Sequence, residues 1–159
     1  MTIDTERRGG GGGASIAFAD LTDVTLVKKT TPQTVNNSTT LVNDSELVIA
    51  VEANSLYMVE TALDYESSNV ADFKATFSIP TGARMTANTG NAPSPNIAIP
   101  STIFGAGFGA VSTGFRVLSA VLKTEANAGN LTLQWAQNLA EVSDTIVRAG
   151  SQMWVRKLA

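Results

Sequence analysis

The sequence predicts an all-β protein, an antiparallel β-sandwich of jelly-roll type, and three observations carry that reading. Apolar residues recur at every second position in segment after segment, as strands with one face in a core require. Thr, Ser and Asn account for 43 of the 159 residues, a composition suited to strands and the turns between them. No stretch carries convincing helical spacing. Gln134 to Val142 comes nearest, but Trp135 fits the alternation of the strand before it.

The chain divides into an N-terminal arm, residues 1–19, and a sandwich domain, residues 20–159. In the arm, Arg7 and Arg8 precede an unbroken run of Gly9, Gly10, Gly11, Gly12 and Gly13. Glycine loses more backbone entropy on folding than any other residue, so this run is expected to be flexible in the isolated chain. It also permits tight passage through a crevice where a Cβ would clash. Arg7 and Arg8 suit charge-assisted bonds to carboxylates beyond it, which makes the arm a candidate attachment segment.

Within the domain the strands are expected at Val24 to Val27, Leu47 to Val51, Leu56 to Tyr65 and Phe73 to Ile79, then Phe115 to Leu122, Leu131 to Trp135, Thr145 to Arg148 and Met153 to Leu158. The clearest is Phe73 to Ile79, where Phe73, Ala75, Phe77 and Ile79 alternate with Lys74, Thr76 and Ser78 before Pro80 closes the run. In Leu56 to Tyr65, Tyr57, Val59, Leu63 and Tyr65 share one face, with Glu60, Asp64 and Glu66 on the other. Leu131, Leu133 and Trp135 also alternate, which places the Trp135 indole in the core with an acceptor for its N–H. Turn clusters fall at Asn36-Asn37-Ser38, Asn43-Asp44, Ser67-Ser68-Asn69 and Asn127 to Asn130.

Residues 82–114 stand apart, rich in Gly and Pro and poor in charge. A loop of this length inside a compact domain is usually functional or packed on a partner. Ile103, Phe104 and Phe108 are its candidate contact residues, since apolar groups of that size are unfavourable in water. The competing reading is a Gly-interrupted edge strand that covers the core.

The absent residue types narrow the chemistry. With no Cys and no His, the chain has no disulfide framework, no thiolate nucleophile, no Ser–His dyad and no imidazole ligand. Paired carboxylates could serve a glycosidase, but aromatic residues are only 6% of the chain, and a solvated strand face accounts better for Glu60, Asp64 and Glu66. Asp20, Asp23 and Asn43-Asp44-Ser45-Glu46 offer oxygen ligands, yet without EF-hand or repeat spacing they read as Asx turns. The five glycines lack the Lys and Ser/Thr of a phosphate loop. No catalytic residue, cofactor or metal is expected, and the chain does not read as an enzyme. A net charge of −3 argues against nucleic acid as a partner. No apolar run approaches the ~20 residues of a membrane span, and the start shows no signal peptide. The sequons at Asn37 and Asn130 are discounted accordingly.

Leu131-Thr-Leu-Gln-Trp-Ala-Gln-Asn138, followed by Val147-Arg-Ala-Gly-Ser151 and a basic terminus, resembles small virion proteins of tailed bacteriophages of actinobacteria. Upstream, Lys28 to Val35, Thr39 to Leu47 and Ala53 to Tyr57 follow in the same order, and Asp20-Leu-Thr-Asp-Val24 resembles the start of tail-fibre segments. The resemblance covers about residues 20–79 and 115–159. It implies a β-sandwich attached to the particle as a homotrimer, with the major capsid protein as partner. The chain lacks the stalk that a fibre needs. The expected role is therefore a capsid decoration (cement) protein on the outer shell, with a receptor-binding tail-tip or tail-fibre head as the alternative.

Overall fold

The computed structural model describes residues 23–88, 97–98 and 112–159, and these residues are all-β. Eleven strands run in chain order: β1 (Val24–Lys28), β2 (Gln33–Asn36), β3 (Val42–Val51), β4 (Leu56–Ser67), β5 (Phe73–Ser78), β6 (Arg84–Asn88), β7 (Ile97–Ala98), β8 (Ser112–Lys123), β9 (Gly129–Gln137), β10 (Asp144–Val147) and β11 (Gln152–Lys157). Among the described residues there is no helix; Gln134 to Gln137 belong to β9, and the chain bends through residues 138–143 before β10.

Every strand pairing is antiparallel. The large sheet has the order β1-β11-β4-β8-β6-β7, with β10 bonded to both β4 and β2; the small sheet has the order β3-β9-β5. The chain crosses repeatedly between them, from β3 to β4, β5 and β6, and again from β8 to β9 and β11. This winding gives the jelly-roll-like sandwich that the alternation predicts. The regular pattern has one departure. β6 follows β5 in the chain yet pairs with β8 at the margin of the large sheet, which leaves the small sheet with three strands.

The core lies between the sheets. Leu47, Ile49, Phe73, Phe77, Leu131 and Leu133 of the small sheet meet Val59, Leu63, Leu118, Leu122, Met153 and Val155 of the large one, all essentially without exposure. Tyr65 of β4 bridges the layers by stacking on Phe73 of β5 with centroids 4.5 Å apart, and within the small sheet Phe73 stacks on Trp135 of β9 at 5.9 Å. Contacts of this kind add about 0.5–1.5 kcal/mol each beyond area burial.

Four local expectations need correction. Asn43-Asp44 is not a turn between strands but lies within β3, where the register opens into a bulge between Asn43 and Val48. Ser45 and Glu46 face outward while Asp44 turns in. Asn36 ends β2, a strand too short and too polar to show period two. Asn130 likewise belongs to β9 rather than to the turn before it. Residues 82–114 are not one long loop, since 84–88 form a strand on β8 with Met85 and Ala87 in the core. That part of the segment covers the core, as the competing reading expects, with the two-residue β7 paired on its outer side.

Candidate functional site

Two features of the described residues stand out, one sealed and one open. The sealed one begins at the β3 bulge. Leaving the ladder there frees the Asp44 side chain to enter the core, where it meets four donors. Its Oδ1 accepts from Lys29 Nζ at 3.0 Å and from the Glu46 and Leu47 amides at 3.0 Å each. Its Oδ2 accepts from Trp135 Nε1 at 3.2 Å. The amide bonds are the Asx geometry expected of this cluster, and the indole has the acceptor that its burial requires. Lys29 and Asp44 are both without side-chain exposure. A buried ion pair is tolerable only when its remaining donors and acceptors are also matched. Here Lys29 also reaches Gln33 Oε1 at 3.5 Å.

Glu46, on the outward side of the same bulge, clamps the chain after β1. It accepts from the amides and hydroxyls of Thr30 (2.7 and 2.6 Å) and Thr31 (3.0 and 2.6 Å). These bonds, the Thr30 and Thr31 hydroxyls first, hold its carboxyl at about 2 against an ordinary 4.5. Buried and partnered within itself, the Lys29–Asp44–Trp135 cluster is a structural fastening.

The open feature is the outer face of the large sheet. Strand register brings into one row Val24 of β1, Arg156 of β11, Met58 of β4 and Val121 of β8; the next row holds Leu26, Trp154, Glu60 and Ser119, and a third Lys28, Gln152, Ala62 and Val117. Leu26, Val117 and Val121 are about half exposed, at 56%, 48% and 48%, with Val24 and Met58 at 37% each. Val24, Met58, Glu60, Trp154 and Arg156 line a shallow depression of about 500 Å³ on this face. An antiparallel sheet with one wet face normally shows clean apolar–polar alternation. In β8 it fails: Val117 and Val121 point out while Leu118, Ala120 and Leu122 point in. The outer face of the small sheet carries Asn43, Lys74, Thr76, Gln134 and Ser78 instead, with Val48 and Ala50 at one margin. Of the two outer sheet faces, among the described residues, that of the large sheet is the one with the apolar character of a surface that meets another.

The carboxylates of β4 lie where the alternation puts them, on this outer side, but they are not uniformly solvated. Glu66 forms an ion pair with Arg148, and Glu60 sits beside Trp154 in the depression. The candidate attachment residues Arg7, Arg8 and Gly9 to Gly13, and the candidate contact residues Ile103, Phe104 and Phe108, lie outside the described residues. Among the described residues no group of three acidic side chains is close enough to hold a metal ion, and no helix is long and apolar enough to cross a membrane. No protein-family model, curated protein or solved structure matches the chain.

Proposed function

We propose that this chain is a structural protein of a tailed-bacteriophage particle, a decoration protein seated on the outer capsid surface, with the major capsid protein and further copies of itself as partners. The observation that carries the reading is the apolar outer face of the large sheet, opposite a mostly polar face on the small one. A domain that works by assembling needs such a side. Burying Leu26, Met58, Val117, Val121 and Trp154 supplies about 25 cal/mol per Å² removed from water. The arm belongs to the same proposal: Arg7 and Arg8 fasten the chain end to acidic groups of the shell once the five glycines have threaded a crevice. Ordering that run costs on the order of 1–2 kcal/mol per residue, so its contacts must be extensive.

Copy number tests the proposal. Quantifying this chain against the major capsid protein on a gel of purified particles is expected to give many copies per particle, near the number of capsid lattice positions. A handful of copies per particle would assign it to the tail, as a fibre head or tip. Absence from particles would remove the virion reading altogether.

A further inference from the structure

The depression on the large sheet contains a four-residue pattern with an internal symmetry. Trp154 pairs directly across the ladder with Glu60, and Arg156 pairs with Met58. The four side chains therefore stand at the corners of a rectangle, with Trp154 and Met58 on one diagonal and Glu60 and Arg156 on the other. Among the described residues neither Glu60 nor Arg156 takes part in an ion pair or a side-chain hydrogen bond, whereas Glu66 on the same side of β4 holds Arg148. Two opposite, unspent charges thus flank an apolar diagonal on the apolar outer face of the large sheet.

We infer that this face pairs with the same face of a second copy, about a two-fold axis lying along the Trp154–Met58 diagonal. Rotation about that line leaves Trp154 facing Trp154 and Met58 facing Met58. It carries each of the other two corners to within about 3 Å of the opposite one, a gap that these long side chains span, so Glu60 of each copy meets Arg156 of the other. An isologous contact requires a self-complementary patch, and this rectangle is one. Two charge pairs form at once, around a centre made of an aromatic and a thioether, with Val24, Leu26, Val117 and Val121 filling the surround. The small outward residues Ala62 and Ser119 leave room between the large ones for the two surfaces to interdigitate.

The inference rests on reading the face as an assembly surface, and it replaces the expected trimer with a pair at this contact. Four strands about 4.8 Å apart, with three rows of outward residues about 6.8 Å apart, cover roughly 400 Å² per copy. The pair then buries about 800 Å², the size of a weak, transient contact. It is a micromolar association in solution, one that the high local concentration on a particle completes.

Charge exchange between two variants of the full chain decides the matter. In Glu60→Arg two arginines of each copy face two of the other, and in Arg156→Glu the same holds for glutamates; each variant alone should dimerise about a hundredfold more weakly or worse. Mixed one to one, they restore both opposite-charge contacts, and sedimentation at tens of micromolar should recover the dimer. Charge pairing within one copy does not produce that recovery. A native chain that sediments as a monomer or a trimer, or a mixture that stays monomeric, overturns the inference. Should either variant fail to fold, Met58→Cys provides an independent test in a chain with no other cysteine. A short bis-maleimide is expected to link two copies through it, while Asn54→Cys, in the β3–β4 turn, stays unlinked; equal linking of the two overturns the pairing. A monomeric native chain that still binds particles through Trp154 overturns the pair and leaves the virion role standing. A dimer that is absent from purified particles supports the pair and removes that role.

Discussion

Trp135 Nε1 donates to Asp44 Oδ2 at 3.2 Å, and this single bond ties the middle strand of the small sheet to a bulge in its neighbour and, through Asp44, to the Lys29 ammonium at the end of β1. Three segments that are distant in sequence and drawn from both sheets converge on one carboxylate. The arrangement explains why a ten-residue strand breaks its register between Asn43 and Val48. Without the bulge, Asp44 would have to lie in the outward row with Ser45 lost from it, and Lys29 would lose its closest counter-charge, with Glu46 Oε1 3.9 Å away.

Asp44→Ala is expected to destabilise the fold by about 3–5 kcal/mol, because it strands a buried ammonium as well as an indole N–H and two amides. Lys29→Met should cost less, since Asp44 then keeps three of its four donors. Urea titrations of the two variants check the order. Equal costs, or a larger cost for Lys29→Met, would show that the carboxylate is not the centre of the cluster.

Trp135→Ala is expected to cost about 3–5 kcal/mol as a large-to-small core change, and it also removes the stack on Phe73. Trp135→Phe keeps most of the ring and loses only the N–H, so its cost should fall near the ~1–3 kcal/mol of an unmet buried acceptor. A Trp135→Ala melt within a degree or two of the parent would contradict the placement of β9.

Acid stability should depend on Glu46. Its carboxyl is held at about 2 against 4.5, so the folded state prefers it ionised; the stabilisation is complete above pH 4.5 and is lost as pH falls toward 2. Glu141, lowered by the Ser143 hydroxyl and amide, acts in the same direction. Glu46→Gln should therefore flatten the fall in stability between pH 4.5 and 2 without abolishing it. An unchanged acid limb would mean that the Thr30–Thr31 clamp contributes nothing in solution.

One core substitution should stabilise. The Thr61 hydroxyl, at the centre of β4 and fully buried, has no hydrogen-bond partner among the described residues. Thr61→Val keeps the shape and removes a desolvated polar atom, with an expected gain of about 1 kcal/mol. A loss of stability on denaturant titration would show that the hydroxyl is satisfied by bound water.

Much of the fold is legible in the residues, and the reasons differ by element. Phe73 to Ile79 and Leu131 to Trp135 declare themselves because one face of each is apolar and the other polar. β2 and β6 do not, since Val35 is the one buried apolar side chain in the first, and the second supplies only Met85 and Ala87. The bulge in β3 is invisible because Asn-Asp-Ser is equally the composition of a turn. The outer face escapes for another reason: it belongs to no single strand. β4 alone shows Glu60, Asp64 and Glu66, the marks of a wet face. Leu26, Trp154 and Val121 come from β1, β11 and β8, and only the register brings them alongside Met58. A signal was nonetheless present in Val117 to Leu122, which is apolar on both faces, as a strand covered on both sides must be.

Hydroxyl-radical footprinting is the most direct measurement of whether the outer face of the large sheet is where this protein assembles, because Met58 and Trp154 are readily oxidised and sit on that face. Met85, Met153 and Trp135 are fully buried and provide controls within the same chain. The account predicts strong labelling of Met58 and Trp154 in the dilute isolated protein, loss of that labelling in purified particles, and low labelling of the three controls in both. Equal labelling of Met58 and Trp154 in the two states would contradict it and place the contact elsewhere.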